Sequence, residues 1–125
     1  MKTFALLGSI FALISVAAGA FGAHALADRV DARMLEVWET AAQYQMYHAL
    51  ALFAVAWLYH QTEATAALVA GWSFTAGILV FSGSLYLMVF TGIRGLGAIT
   101  PVGGLAFLAG WFCCILTALK LGSAT

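Results

Sequence analysis

A chain of 125 residues is at most one domain, and one that is 64% hydrophobic and only 8% charged departs far from the roughly one quarter of charged residues in a soluble domain. Five basic residues balance five acidic ones, so no net field gathers a polyanion, and nucleic acid is excluded as a partner. Uncharged runs of about 20 residues, the length that crosses a bilayer, occur at residues 4–26, 41–59, 64–90 and 101–119. They are apolar at successive positions rather than alternating ones, which speaks for helices and against a β-barrel. The expected fold is all-α: a four-helix transmembrane bundle in one integral membrane domain over residues 1–125, with the lipid bilayer as its first partner.

The first run imitates a secretory signal, because Lys2 precedes the apolar stretch and Ala23-His24-Ala25 resembles a cleavage site. It is longer than a typical signal core. Gly8, Ala12, Ser15, Gly19 and Gly22 also fall at alternating four- and three-residue steps, a small-residue stripe of the kind that lets helices approach closely. A retained membrane helix is the expectation.

The charge-rich stretch Asp28 to Glu39 follows. Asp28 or Asp31 can cap a helix whose apolar face carries Val30, Met34, Val37 or Trp38, and Ala41, with Arg29, Arg33 and Glu36 on another face. This predicts a short interfacial amphipathic helix between spans one and two, with Trp38, Tyr44 and Tyr47 in an aromatic belt. Span two then carries Gln45 and His48 one turn apart. The short polar turn His60 to Glu63 makes spans two and three antiparallel neighbours.

Span three holds Ser82 and Tyr86 four residues apart near its end. Beyond it lies a glycine-rich loop with Arg94, the only charged residue between Glu63 and Lys120. Thr100 and Pro101, the single proline, read as N-cap and first residue of span four. That span repeats the small-residue device at Ala106, Gly110, Cys114 and Ala118. Cys113 and Cys114 are adjacent, without the C-x-x-C spacing of redox or metal motifs, and read as packing residues.

Four spans place both termini on one side and the Asp28–Glu39 and Arg94 segments on the other. The Lys and Arg count is too even to set the orientation. The same topology draws His24, Gln45, His48, Ser82, Tyr86, Arg94 and Thr100 toward one mouth of the bundle. Polar groups at membrane depth are functional candidates or interhelical glue. The sharper expectation is an anion site: Gly103 and Gly104 leave the first N–H groups of helix four uncovered, and Arg94 folds back to clamp a phospholipid headgroup or similar anion. The plainer one is that Arg94 only anchors its loop.

No cofactor and no metal are expected, since two histidines fall short of a stable ligand set. Catalysis is not expected either, because Ser82 or Ser84 beside His48 has no third group to orient the base. The spans contain no Asp or Glu, which sets aside an ion-coupled carrier.

Four blocks, GAFGAHAL (Gly19 to Leu26), YQMYHALAL (Tyr44 to Leu52), FSGSLY (Phe81 to Tyr86) and GAITPVGG (Gly97 to Gly104), give the chain a close resemblance to the small membrane proteins that include bacterial YgdD and eukaryotic transmembrane protein 256. The resemblance implies a multi-pass protein, of the inner membrane in bacteria, in a family catalogued as a domain of unknown function. Many members have a bulky residue just after the arginine, where this chain has Gly95, which implies a more flexible loop here. The resemblance leaves two roles open. The first is a structural or accessory subunit that packs through its small stripes with itself, as a homo-oligomer, or with a larger membrane complex. The alternative is a binding module for a lipid headgroup or small amphiphilic anion at the Arg94 mouth.

Overall fold

The computed structural model describes residues 2–123; Met1, Ala124 and Thr125, the ends of the expected domain, lie outside them. The chain is all-α and forms four rods. The first is α1 (Lys2–Phe21), which continues through a π-helical turn at Gly22–Leu26. The second is α2 (Ala32–Thr62). The third joins α3 (Thr65–Gly77), a π-helical turn at Ile78–Ser82 and α4 (Gly83–Thr91), and the fourth joins a 3-10 turn at Arg94–Ala98 to α5 (Thr100–Ala118).

Local chemistry sets the ends of α2. The Asp31 carboxylate accepts from the Met34 N–H at 2.8 Å and opens the helix. Glu63 closes it in the left-handed region at φ 52°, its N–H donating to the Tyr59 carbonyl at 2.7 Å. Only Glu63 and Ala64 separate α2 from α3, so the two pack as antiparallel neighbours, as the His60 to Glu63 turn requires. Gly92 ends α4 at φ 72°, a conformation that needs the missing Cβ.

Two expectations change here. The amphipathic segment is not a separate interfacial helix: residues 32–40 are the first turns of α2, which runs on without a break. The reason is that residues 32–62 contain neither glycine nor proline and keep one apolar face throughout, so nothing stops propagation. At about 1.5 Å per residue α2 is roughly 46 Å long, more than a bilayer core. Second, three rods rather than four are both long and apolar enough to cross a membrane: Lys2–Leu26, Thr65–Thr91 and Arg94–Ala118. The polar residues of α2 exclude it by composition.

Packing accounts for part of that composition, because Gln45 and His48 of α2 face neighbouring rods, and α2, like the third rod, touches all the others. α1 lies along one side of it, the third rod along another, and α5 packs mainly on α3. The outward faces of α1 and α5, including Leu13, Val16, Leu105 and Leu108, are left exposed and apolar. Inside are two apolar clusters. One joins Phe4, Leu52, Val55, Phe74 and Phe107; the other joins Leu26, Met34, Trp38, Leu85 and Val89. Trp38, expected in an exposed belt, is only 4% exposed.

The small stripes are real but differently placed. On α1, Gly8 lies under Ala49 and Phe53, Ser15 is buried and Gly22 lies under the Trp38 ring, whereas Gly19 faces open space. On α5 the packed positions are Gly103, Phe107, Gly110, Cys114 and Thr117, and Ala118 is exposed. A strict four-residue step drifts by about 40° each time, so it leaves the contact face; alternating steps of four and three stay on it. Gly103 is the least yielding point of the two stripes, since a Cβ there would run into the backbone of Phe81. Gly103→Ala should therefore destabilise the protein by about 1–3 kcal/mol, because a helix backbone cannot step aside as a side chain can. Gly19→Ala should be neutral or slightly stabilising. Thermal unfolding in mild detergent checks both, and equal tolerance at the two sites would contradict this packing.

Candidate functional site

Between the two apolar clusters lies a layer of polar contacts at mid-height of the rods. Gln45, 2% exposed, donates its amide N–H to the Phe11 carbonyl of α1 at 2.8 Å, and its amide oxygen accepts from the Tyr86 hydroxyl of α4 at 2.7 Å. One side chain thus ties three rods. Ser82 donates to the Ala41 carbonyl at 2.7 Å, and Ser15 of α1 donates to the Ala42 carbonyl at 2.6 Å. Trp38 donates from its indole to the Ala18 carbonyl at 2.7 Å. Among the described residues, no buried side-chain nitrogen or oxygen lacks a partner.

His48 is 5% exposed and lies in the same layer. Its Nδ1 is 2.8 Å from the Tyr44 carbonyl oxygen, and its Nε2 is 3.1 Å from the Trp111 indole nitrogen of α5. The imidazole stacks on Phe107 with centroids 3.6 Å apart and planes 5° from parallel.

The expected single mouth therefore resolves into two levels. Gln45, His48, Ser82 and Tyr86 belong to the inner layer, whereas Arg94 is exposed beside the start of α2, its guanidinium 3.9 Å from Asp31. His24 is exposed at the end of the first rod. The cause is the length of α2. A helix that starts at Ala32 puts His48 roughly 24 Å along its axis rather than two turns from an end.

The expected clamp is not formed either. The 3-10 turn leads straight into α5, where Val102 donates to the Ile99 carbonyl, and Gly103 is buried under Phe81. Gly104 has open space around it. Thr100 is not a cap: its hydroxyl lies 2.6 Å from that of Ser84, which also donates to the Phe81 carbonyl, so Thr100 is the donor of the pair. Gly95 sits inside the 3-10 turn, not in an open loop. Among the described residues no three His, Cys, Asp or Glu gather where they could hold a metal.

What Arg94 does line is a cleft of about 420 Å³ between the first turns of α2, the third rod and the start of α5. Met34, Val37, Phe81, Leu85 and Met88 form its apolar wall, and Arg33 and Arg94 supply its positive charge. A smaller adjoining cavity of about 260 Å³ shares Arg33, Val37, Phe81, Leu85 and Thr100. Arg33 pairs with Glu36 at 3.8 Å and Arg94 with Asp31 at 3.9 Å, all four side chains at least 62% exposed. Pairs so long and so wet hold little energy, and a better anion can displace them. The sequence reading missed Arg33, which it placed on the solvated face of an interfacial helix. Its position in the first turn of a continuous α2, beside the Arg94 loop, is the signal that finds it.

A family model described as "Protein of unknown function (DUF423)" matches residues 18–104. The chain is 49% identical over 121 residues to the UPF0382 membrane protein YwdK of Bacillus subtilis, covering 96% of this chain and 98% of the relative. It is 45% identical over 121 residues to a UPF0382 membrane protein of Staphylococcus saprophyticus, covering 97% and 100% respectively. A third relative, from Staphylococcus epidermidis, is 44% identical over 120 residues, covering 96% and 98%. No solved structure matches.

The inner layer makes a quantitative prediction. Gln45→Leu and Tyr86→Phe should each destabilise the protein, Gln45→Leu more because it ends two contacts. The double variant should lose less than the sum by about 0.6 kcal/mol, and no more than about 1.7 kcal/mol. A double-mutant cycle in detergent measures this coupling, and strict additivity would mean that the two side chains do not interact.

Proposed function

Because the chain belongs to the DUF423 family and its relatives are membrane proteins, we propose that it is a multi-pass protein of the bacterial cell membrane that binds an anionic amphiphile, such as a phospholipid, in the Arg33–Arg94 cleft. The narrower kinship with YgdD and transmembrane protein 256 is part of the same reading, as is a four-span topology with both termini on one side. The observation that carries the proposal is the pairing of two guanidiniums with an apolar wall at the end of a membrane helix bundle. A headgroup anion meets the charge while its chains meet Met34, Leu85 and Met88.

Binding rather than catalysis fits the inner layer. The Ser82 hydroxyl is engaged by Ala41, and both nitrogens of His48 are engaged by Tyr44 and Trp111, so no base faces a nucleophile. An accessory subunit that docks through its small stripes draws less support, since Gly8, Gly22, Gly103 and Gly110 are already packed within the chain.

Native mass spectrometry of protein purified in mild detergent tests the proposal. Wild type should retain phosphatidylglycerol in preference to phosphatidylcholine. Arg33→Gln with Arg94→Gln should reduce that retention at least about tenfold, the equivalent of roughly 1.4 kcal/mol. Retention unchanged in the double variant would contradict the cleft as the site.

A further inference from the structure

His48 is the one histidine buried in the interior, and its neighbours allow it only one satisfied state. The Tyr44 carbonyl oxygen can only accept, so Nδ1, 2.8 Å away, carries the hydrogen. The Trp111 indole N–H can only donate, so Nε2, 3.1 Å away, offers its lone pair. Together they fix the neutral Nδ1–H tautomer. A second proton would set N–H against N–H, and the bond to Trp111 would break.

The surroundings offer that proton no other acceptor. α2 itself presents Tyr44 to the imidazole, α3 presents Phe74, and α5 presents Phe107 and Trp111. Tyr44 is the one titratable side chain among these contacts, and none of them carries a charge. The new charge would have only the ring face of Phe107 to meet it. The bond that breaks is also the only side-chain hydrogen bond between α2 and α5 among the described residues. α5 supplies Thr100 and Pro101 to the cleft, and Phe107 packs on Phe81, another cleft residue, at 5.3 Å.

We propose that His48 is a proton-sensitive latch: neutral, it fastens α5 to α2 through Trp111, and protonated, it lets go and loosens the α5 wall of the cleft. The latch stands on the His48–Trp111 geometry alone. Its effect on the cleft rests on the function proposed above.

Nitrogen-15 NMR of the protein in micelles, taken from about pH 8 to about pH 5, tests the latch. His48 should show the Nδ1–H tautomer at the upper end, and the Trp111 indole signal should shift in step with protonation of the imidazole. His48→Gln keeps an acceptor for Trp111 but cannot titrate, so its indole signal should stay in place. An imidazole that stays neutral over the whole range, an indole that stays fixed while His48 titrates, or one that moves equally in His48→Gln, overturns the latch. The coupling is read from retention of phosphatidylglycerol, whose phosphodiester keeps one negative charge over this range. Wild type should hold it several-fold more weakly in acid, and His48→Gln equally at both ends. The same acid loss in both proteins, or in neither, overturns the coupling. Wild type that binds no phosphatidylglycerol at either pH overturns the proposed function, and the imidazole and indole signals still judge the latch.

Discussion

A glutamine side chain buried among apolar helices has to find its hydrogen bonds inside the protein, and Gln45 finds them on two different rods. Its amide spans from the Phe11 carbonyl to the Tyr86 hydroxyl, so α1 and α4 are both held to α2 at one level. Leaving any of these groups unpaired in the buried interior would cost more than the bonds are worth, which makes the arrangement a constraint and not merely a gain. Trp38, Ser15, Ser82 and His48 obey the same rule at neighbouring positions. Gln45 and His48 of α2 therefore turn inward and meet the neighbouring rods, while the opposite face of α2, with Gln43, Tyr47 and Leu50, stays exposed. α1 and α5 are left on the outside, where their exposed leucines suit lipid.

Irregular helix geometry serves that arrangement. In the third rod the π-helical turn at Ile78–Ser82 inserts an extra residue and resets the direction in which the side chains of α4 point. At its end Ser82 meets Ala41 of α2, and just beyond it Ser84 meets Thr100 of α5, so residues two apart serve different partners. The backbone of Phe81, within that turn, lies against Gly103, where no larger residue fits. The same contact brings the start of α5 toward α2 and gives the cleft its third side. Fold and candidate site thus share residues: Phe81 and Thr100 are both structural contacts and cleft lining.

Much of this was legible from residue order. The Asp31 cap, the short turn after His60 and the proline at the start of α5 all act over a few residues, so the sequence carries them directly. The interfacial helix was misread because charge at residues 28–39 looks like a surface, while helix propagation depends on the absence of glycine and proline. Gly19 was misread because spacing gives the period of a stripe but not which side of the helix has a neighbour. Arg33 and Trp111 were missed because each matters through a contact with another rod, Arg33 across the cleft from Arg94 and Trp111 against a histidine 63 residues away. The π-helical turns leave no comparable signature in composition.

The proposal that most needs a direct test is that α2 crosses the membrane although its composition alone does not qualify it, with Gln45 and His48 bonded to other rods. Cysteine-accessibility mapping tests this directly, with Cys113 and Cys114 replaced and single reporters placed at positions 31, 63 and 94. If α2 spans, position 63 labels from the face opposite to 31 and 94. If positions 31 and 63 label from the same face, α2 lies along the surface, and the proposed four-span topology is wrong.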